Sequence, residues 1–264
     1  MPVTPSLPSH PIGLHHALLR HVRSWGHMLH VGSVVLVLAL SPGRYTPAFR
    51  QRTALLIYTS TWQVMPWFTA LSALLSLVLI RIVVVTALSY GLSQYALQMV
   101  VRVLVLELIP LAAALFVALR AGLAFNAGAV GVAAGPLAAH RRLELDHLRD
   151  HLTQRVLADA FAVLALATLS SVVILVLAYF TVYGLSPWGL PGFTRTVGQV
   201  FDLPVSLGFI LKTLFFSLAV AVVPMAASLE AAQHRATDTI QPGAVRLFLV
   251  LFLLEATSLV VKYV

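Results

Sequence analysis

The chain has 264 residues, of which 59% are hydrophobic and only 10% charged, and its mean hydropathy is +0.93. Soluble globular domains carry about 25% charged residues, so a soluble globule of this size is excluded and the composition predicts an all-α integral membrane protein. The balance is basic, with 17 Lys+Arg (15 of them Arg) against 9 Asp+Glu and no cysteine, which fits anionic lipid heads and excludes disulfides, iron–sulfur clusters and thiolate metal sites.

Residues 1–13, MPVTPSLPSHPIG, are rich in Pro and Ser and read as a disordered tail without a cleavable signal. From Leu14 to about Leu40 the pattern is helical. Leu18, Val22, Trp25 and Leu29 share one face, and Arg20, Arg23, His16, His27 and His30 supply polar character elsewhere. Residues 14–60 are expected to form an interfacial helix lying on an anionic membrane surface, followed by a connector in which SPGRYTPAFRQR breaks the pattern.

Residues 61–264 hold the membrane domain. A span needs roughly 20 apolar residues, and five stretches qualify: about Met65 to Leu88, Ala96 to Leu119, Val156 to Tyr183, Leu203 to Leu229 and Ala244 to Tyr263. Between the second and third, HRRLELDHLRDHLTQRV alternates charge and leucine and predicts an amphipathic helix, either a solvated connector or a docking element for a soluble partner. His147 and His151 within it suit a solvated helix better than a metal site, and the histidines between His15 and His30 suit an interface. Loop charges orient the bundle. Arg20, Arg23, Arg44, Arg50 and Arg52 precede the first span, and Arg120, Arg141, Arg142, Arg149 and Arg155 lie between the second and third. Only Arg195 lies in the two opposite loops, so the N-terminus is expected in the cytoplasm and the C-terminus outside. The chain has no P-loop, no H-E-x-x-H, no G-x-S-x-G and no aromatic–basic nucleic-acid module.

Ionisable groups inside a bilayer cost about 2.5–3.5 kcal/mol each at a helix centre, so those within the spans are the strongest functional signal. They are Arg81, Arg102, Glu107, Lys212 and Glu255. At 1.5 Å per residue Arg81 and Arg102 each lie about 10 Å below the outer surface. Lys212 and Glu255 fall in the same half, and Glu107 sits near the middle. The expectation is one polar pocket open to the outer side. Three cations against two carboxylates leave a positive surplus that a lipid phosphate would balance, with Arg81 and Arg102 at the headgroup. The competing reading is a set of interhelical ion pairs that lock the bundle.

Three stretches carry a family resemblance. In ELIPLAAALFVALRAG, the residues Glu107, Leu108, Pro110, Arg120 and Gly122 match a Glu-Leu-Gly-Pro element followed by Gly-Arg-x-Gly, with Ile109 and Leu119 replacing two glycines. RVLAD, Arg155 to Asp159, is similar to the opening of the third span. In FDLPVSLGFILKTLFF, the residues Asp202, Lys212 and Phe216 match an Asp–Lys–Phe pattern, and Glu255 stands where a late acidic residue is found. The chain thus resembles the MlaE (YrbE) permease family of ABC transporters.

The resemblance implies a non-enzymatic permease subunit of the bacterial inner membrane. It would pair with a second copy of itself, a cytoplasmic ABC ATPase that holds ATP and Mg, and an MCE-domain lipid-binding protein, and its cargo would be phospholipid or a similar amphiphile. One departure stands out: NAGAVGVAAGPLAAH carries Gly135 and Pro136 near the place of a Glu-Gln pair on the helix that seats on the ATPase. That departure supports the alternative, a non-transporting scaffold that anchors an MCE-like complex.

Overall fold

The computed structural model describes residues 47–132, 141–233 and 242–263, with isolated positions 26, 33 and 37 before them. Every regular element among these residues is helical: α1 (Pro47–Ile57), a π-helical segment (Tyr58–Trp62), α2 (Met65–Ser89), α3 (Ser93–Val100), a second π-helical segment (Val101–Leu108), α4 (Ile109–Val132), α5 (Arg141–Tyr183), a 3-10 turn (Pro187–Gly189), α6 (Leu190–Val200), α7 (Leu203–Gln233) and α8 (Pro242–Tyr263). Among the described residues, five stretches are long and apolar enough to cross a membrane: Phe49–Ser89, Tyr95–Ala121, Thr153–Tyr183, Leu203–Ala226 and Gly243–Lys262. The protein is therefore an all-α, multi-pass membrane protein. The tail and nearly all of the expected interfacial helix lie outside the described residues.

The first span differs from its sequence expectation. SPGRYTPAFRQR is not a break throughout, because α1 begins at Pro47 and runs on into the span. Proline at a helix start is favoured, since its fixed φ suits the helix and its missing N–H would have had no partner there. A second difference is continuity. The amphipathic stretch and the third span form one helix, α5, of 43 residues. At 1.5 Å per residue it is about 65 Å long, twice the roughly 30 Å of bilayer hydrocarbon. It is also the hub of the bundle, touching α1, α2, α4 and α7.

Lipid replaces water as the solvent of the outer surface, so α2 carries large apolar residues on its outward face as well as its inward one. Phe68, Ser72, Ser76, Ile80, Val84 and Ala87 recur every three or four residues and are buried, while Leu71, Leu74, Val78, Ile82 and Val85 face outward. Small residues let the backbones approach closely: Ala113, Ala114, Ala162, Ala167 and Ala219 pack around Phe68, Leu166, Phe216 and Leu251. Turns close the helices sharply at the end of the bundle opposite α1, termed here the far end. Gly91, at φ +72°, takes the left-handed conformation that closes α2. Leu92 N–H donates to the Ala87 carbonyl (2.8 Å) and Gly91 N–H to that of Leu88 (3.1 Å), a Schellman pair.

Candidate functional site

The site begins with a backbone irregularity. Over Val101–Leu108 the second span is π-helical, and Ile109 N–H donates back five residues to the Leu104 carbonyl. Pro110 follows and has no N–H, so the Leu106 carbonyl lacks its ordinary α-helical donor. The Lys212 ammonium of α7 approaches that carbonyl at 3.5 Å. Short π segments inside α-helices are frequent at functional sites, and here the segment places Glu107 next in sequence to the Leu106 carbonyl.

Lys212 is held on all sides. It forms an ion pair with Glu107 and another with Glu255 of α8 at 2.7 Å. Its ammonium also lies 5.6 Å from the centroid of the buried Phe216 ring, one turn further along α7, within cation–π range. Lys262, at the end of α8, donates to the other Glu107 oxygen at 2.7 Å. Glu107 therefore bridges two ammonium groups, one on each of its oxygens. Side-chain exposure is 4% for Lys212, 13% for Glu107, 14% for Glu255 and 19% for Lys262. The four charges sum to zero, and α4's preceding π segment, α7 and α8 each contribute to them.

A cavity of about 420 Å³ opens against this cluster. Glu107, Lys212 and Lys262 form its charged wall, and Leu106, Phe209, Leu211, Phe215, Leu254 and Val261 are among its apolar lining. Glu255 sits behind Lys212 rather than on the wall. The cavity reaches from Leu106, near mid-span, to Pro204 and Lys262 at the far end.

The five span charges named from the sequence thus divide. Glu107, Lys212 and Glu255 meet. Arg81 and Arg102 do not line the cavity, and neither forms an ion pair among the described residues. The physical reason for Arg81 is placement: it is exposed on α2, which packs on α5 and α3 rather than on the cavity walls. Arg102 is half-buried at the start of the π segment, about one turn before Glu107. The residue that sequence reasoning missed is Lys262. Two signals pointed to it. It follows Glu255 by seven residues, two turns of one helix face, and it is one of only two lysines among 17 basic residues. With Arg81 and Arg102 away from the cavity and Lys262 in the cluster, the expected positive surplus gives way to balance.

The other motif residues have local structural reasons. Asp202 caps α7, its side chain accepting from Val205 N–H at 3.0 Å and its carbonyl from Ser206 N–H at 2.9 Å. Arg120, at the end of the second span nearer α1, donates to the Ser60 carbonyl of the first π segment. Val64 N–H, the α-helical donor to that carbonyl, turns instead to the Thr61 carbonyl at 3.2 Å. Asp159 lies within electrostatic reach of Arg155 and Arg120, and with Arg120 and Ser60 it lines a second cavity of about 10 Å³, room for a single water. Gly122 lies within α4. Gly135 and Pro136, and the side chains of His147 and His151, lie outside the described residues.

None of the curated proteins compared matches the chain. A family model does: the one described as Permease MlaE matches residues 53–259. That match runs through all five apolar helices and takes in every cavity residue up to Ser258, including Glu107, Lys212 and Glu255. Together with the five-span bundle, it establishes that the chain belongs to the MlaE permease family of ABC transporters.

Proposed function

We propose that this chain is the permease subunit of an MCE-type ABC transporter that moves phospholipid, or a similar amphiphile, between the bacterial inner membrane and an outer-side MCE protein. The observation that carries this reading is the ligand-sized cavity of about 420 Å³, apolar along most of its wall and charged at one place. Ligand pockets commonly run from about 300 to 1,000 Å³ with a few convergent polar groups, and an amphiphile matches that division. Acyl carbon would lie against Phe209, Leu211, Phe215 and Leu254, and the headgroup would meet Glu107, Lys212 and Lys262.

A second copy of the chain is part of the proposal. Only 11% of the fifth apolar helix is buried within the chain, and Leu211, Phe215 and Val261 line the cavity while remaining exposed. A partner copy would cover that side. The chain carries no P-loop, so ATP and Mg belong to a separate cytoplasmic ATPase. The arginine asymmetry of the loops supports a cytoplasmic N-terminus and an outer-facing far end.

The test is co-purification of the full chain from its native membrane, with native mass spectrometry and lipid extraction. The expected particle contains two copies, a P-loop ATPase, an MCE-domain protein and bound phospholipid. A stable particle with neither ATPase nor lipid would overturn the proposal. Changing Arg81 and Arg102 together to Gln separates the headgroup assignments. Full lipid retention assigns the headgroup to the cavity wall, whereas lost lipid in a folded, assembled complex assigns it to the arginines.

A further inference from the structure

The cavity wall has a charge order as well as a charge sum. Along it stand Lys212, Glu107 and Lys262, with the carboxylate between the ammonium groups and bonded to both. Glu255 neutralises Lys212 from behind at 2.7 Å. A headgroup entering from the cavity therefore meets no net positive charge. A phosphate that approaches either ammonium also approaches the Glu107 carboxylate, since both ammonium groups are in direct contact with it. Like-charge proximity of this kind discriminates against a partner as effectively as attraction selects one. A group carrying both a phosphate and an ammonium meets no such conflict. Its phosphate can take Lys262, the more exposed of the two lysines, while its ammonium turns to Glu107.

We infer that this cavity selects zwitterionic lipid headgroups, bearing one phosphate and one ammonium, over singly anionic ones. The inference rests on the reading of the cavity as the cargo site. It is narrower than that reading, and it reverses the preference for an anionic headgroup that the span charges imply when Arg81 and Arg102 are counted at the pocket.

The experiment uses the full chain in nanodiscs of equal parts phosphatidylethanolamine and phosphatidylglycerol, followed by extraction into detergent and quantitation of retained lipid. The retained fraction is expected to be enriched several-fold in phosphatidylethanolamine over the bulk. Glu107→Gln leaves the cluster with a net positive charge and should shift the preference toward phosphatidylglycerol. Lys262→Gln, at the helix end, removes the ammonium assigned to the phosphate and leaves the cluster net negative, so it should lower total retained phospholipid and lower phosphatidylglycerol more than phosphatidylethanolamine. This variant keeps the test decisive if Glu107→Gln does not fold. Occupancy is read separately with Gly208→Trp. Gly208 lines the cavity, and a Cβ there meets nothing within 4 Å, so a side chain can start from this position and Gly208→Trp adds bulk at the cavity wall. If Gly208→Trp lowers retention but the parent's lipid matches the bulk or favours phosphatidylglycerol, the headgroup inference is wrong and the cargo site stands. If Gly208→Trp retains as much lipid as the parent, the cavity is not the cargo site and both fall.

Discussion

Two places in the bundle use the same backbone device and put it to different ends. In each, a carbonyl of a π-helical segment lacks its α-helical donor, and a basic side chain from another part of the bundle approaches it: Arg120 on Ser60 nearer α1, Lys212 on Leu106 toward the far end. Around Arg120 the packing closes down to a cavity of about 10 Å³, while around Lys212 it opens to about 420 Å³. A planar guanidinium suits the first place, as it keeps its charge in any protein environment and offers several donors in a fixed plane. A compact ammonium suits the second, where it must touch two carboxylates, a carbonyl and an aromatic face at once. A carbonyl without its α-helical donor inside a membrane helix is thus not in itself a mark of a ligand site. What distinguishes the two is whether the charges around it face open space.

The comparison is broken most directly at Lys212. Replacing it with Met leaves Glu107 and Glu255 near one another without the ammonium between them, and removing one partner of a buried pair costs about 3–5 kcal/mol. Equilibrium unfolding in mixed micelles should show a loss of that size, partly restored by adding Glu255→Gln. A loss below about 1 kcal/mol, the scale of an exposed ion pair, would mean that the cluster is hydrated and not structural. Arg120→Gln sharpens the contrast. It weakens a charged hydrogen bond to the Ser60 carbonyl, worth about 1.5–3 kcal/mol, and should lower stability while retained lipid per folded chain stays unchanged. A drop in lipid equal to that of a cavity variant would erase the distinction between the two places. The smallest effect is expected at Asp202, where loss of the cap in Asp202→Ala should cost about 1 kcal/mol and Asp202→Asn should restore most of it. If Asn behaves like Ala, the carboxylate has a role beyond capping the helix.

The spans were legible because bilayer thickness sets a length that composition alone can meet; α2 and α8 fall within two residues of the stretches read from hydropathy. What surrounds them was harder to read. SPGRYTPAFRQR reads as a break because proline ends helices as readily as it begins them, and only the fold decides which. The charged stretch before the third span belongs to the same helix because nothing in residues 141–183 stops it: that run contains neither proline nor glycine. In the candidate site, depth was legible and azimuth was not. Counting residues puts Arg81 level with Lys212 along the membrane normal, yet cannot say that α2 turns Arg81 outward while α7 turns Lys212 inward. Lys262 was passed over because it stands at the end of an apolar run, where lysines ordinarily reach for the interface. Here its side chain reaches Glu107 on the second span.

The scarcity of lysine gives this cluster a chemical address. Apart from its α-amino group, the sequence offers an acylating reagent two amines, and both converge on Glu107. Lys212 is nearly sealed and Lys262 only partly so, which means that the rate at which Lys262 is modified reports on whatever stands in the mouth of the cavity. Lysine-directed cross-linkers, by the same token, would pass over the arginine side chains, and any product formed through a lysine side chain would carry information about this one place.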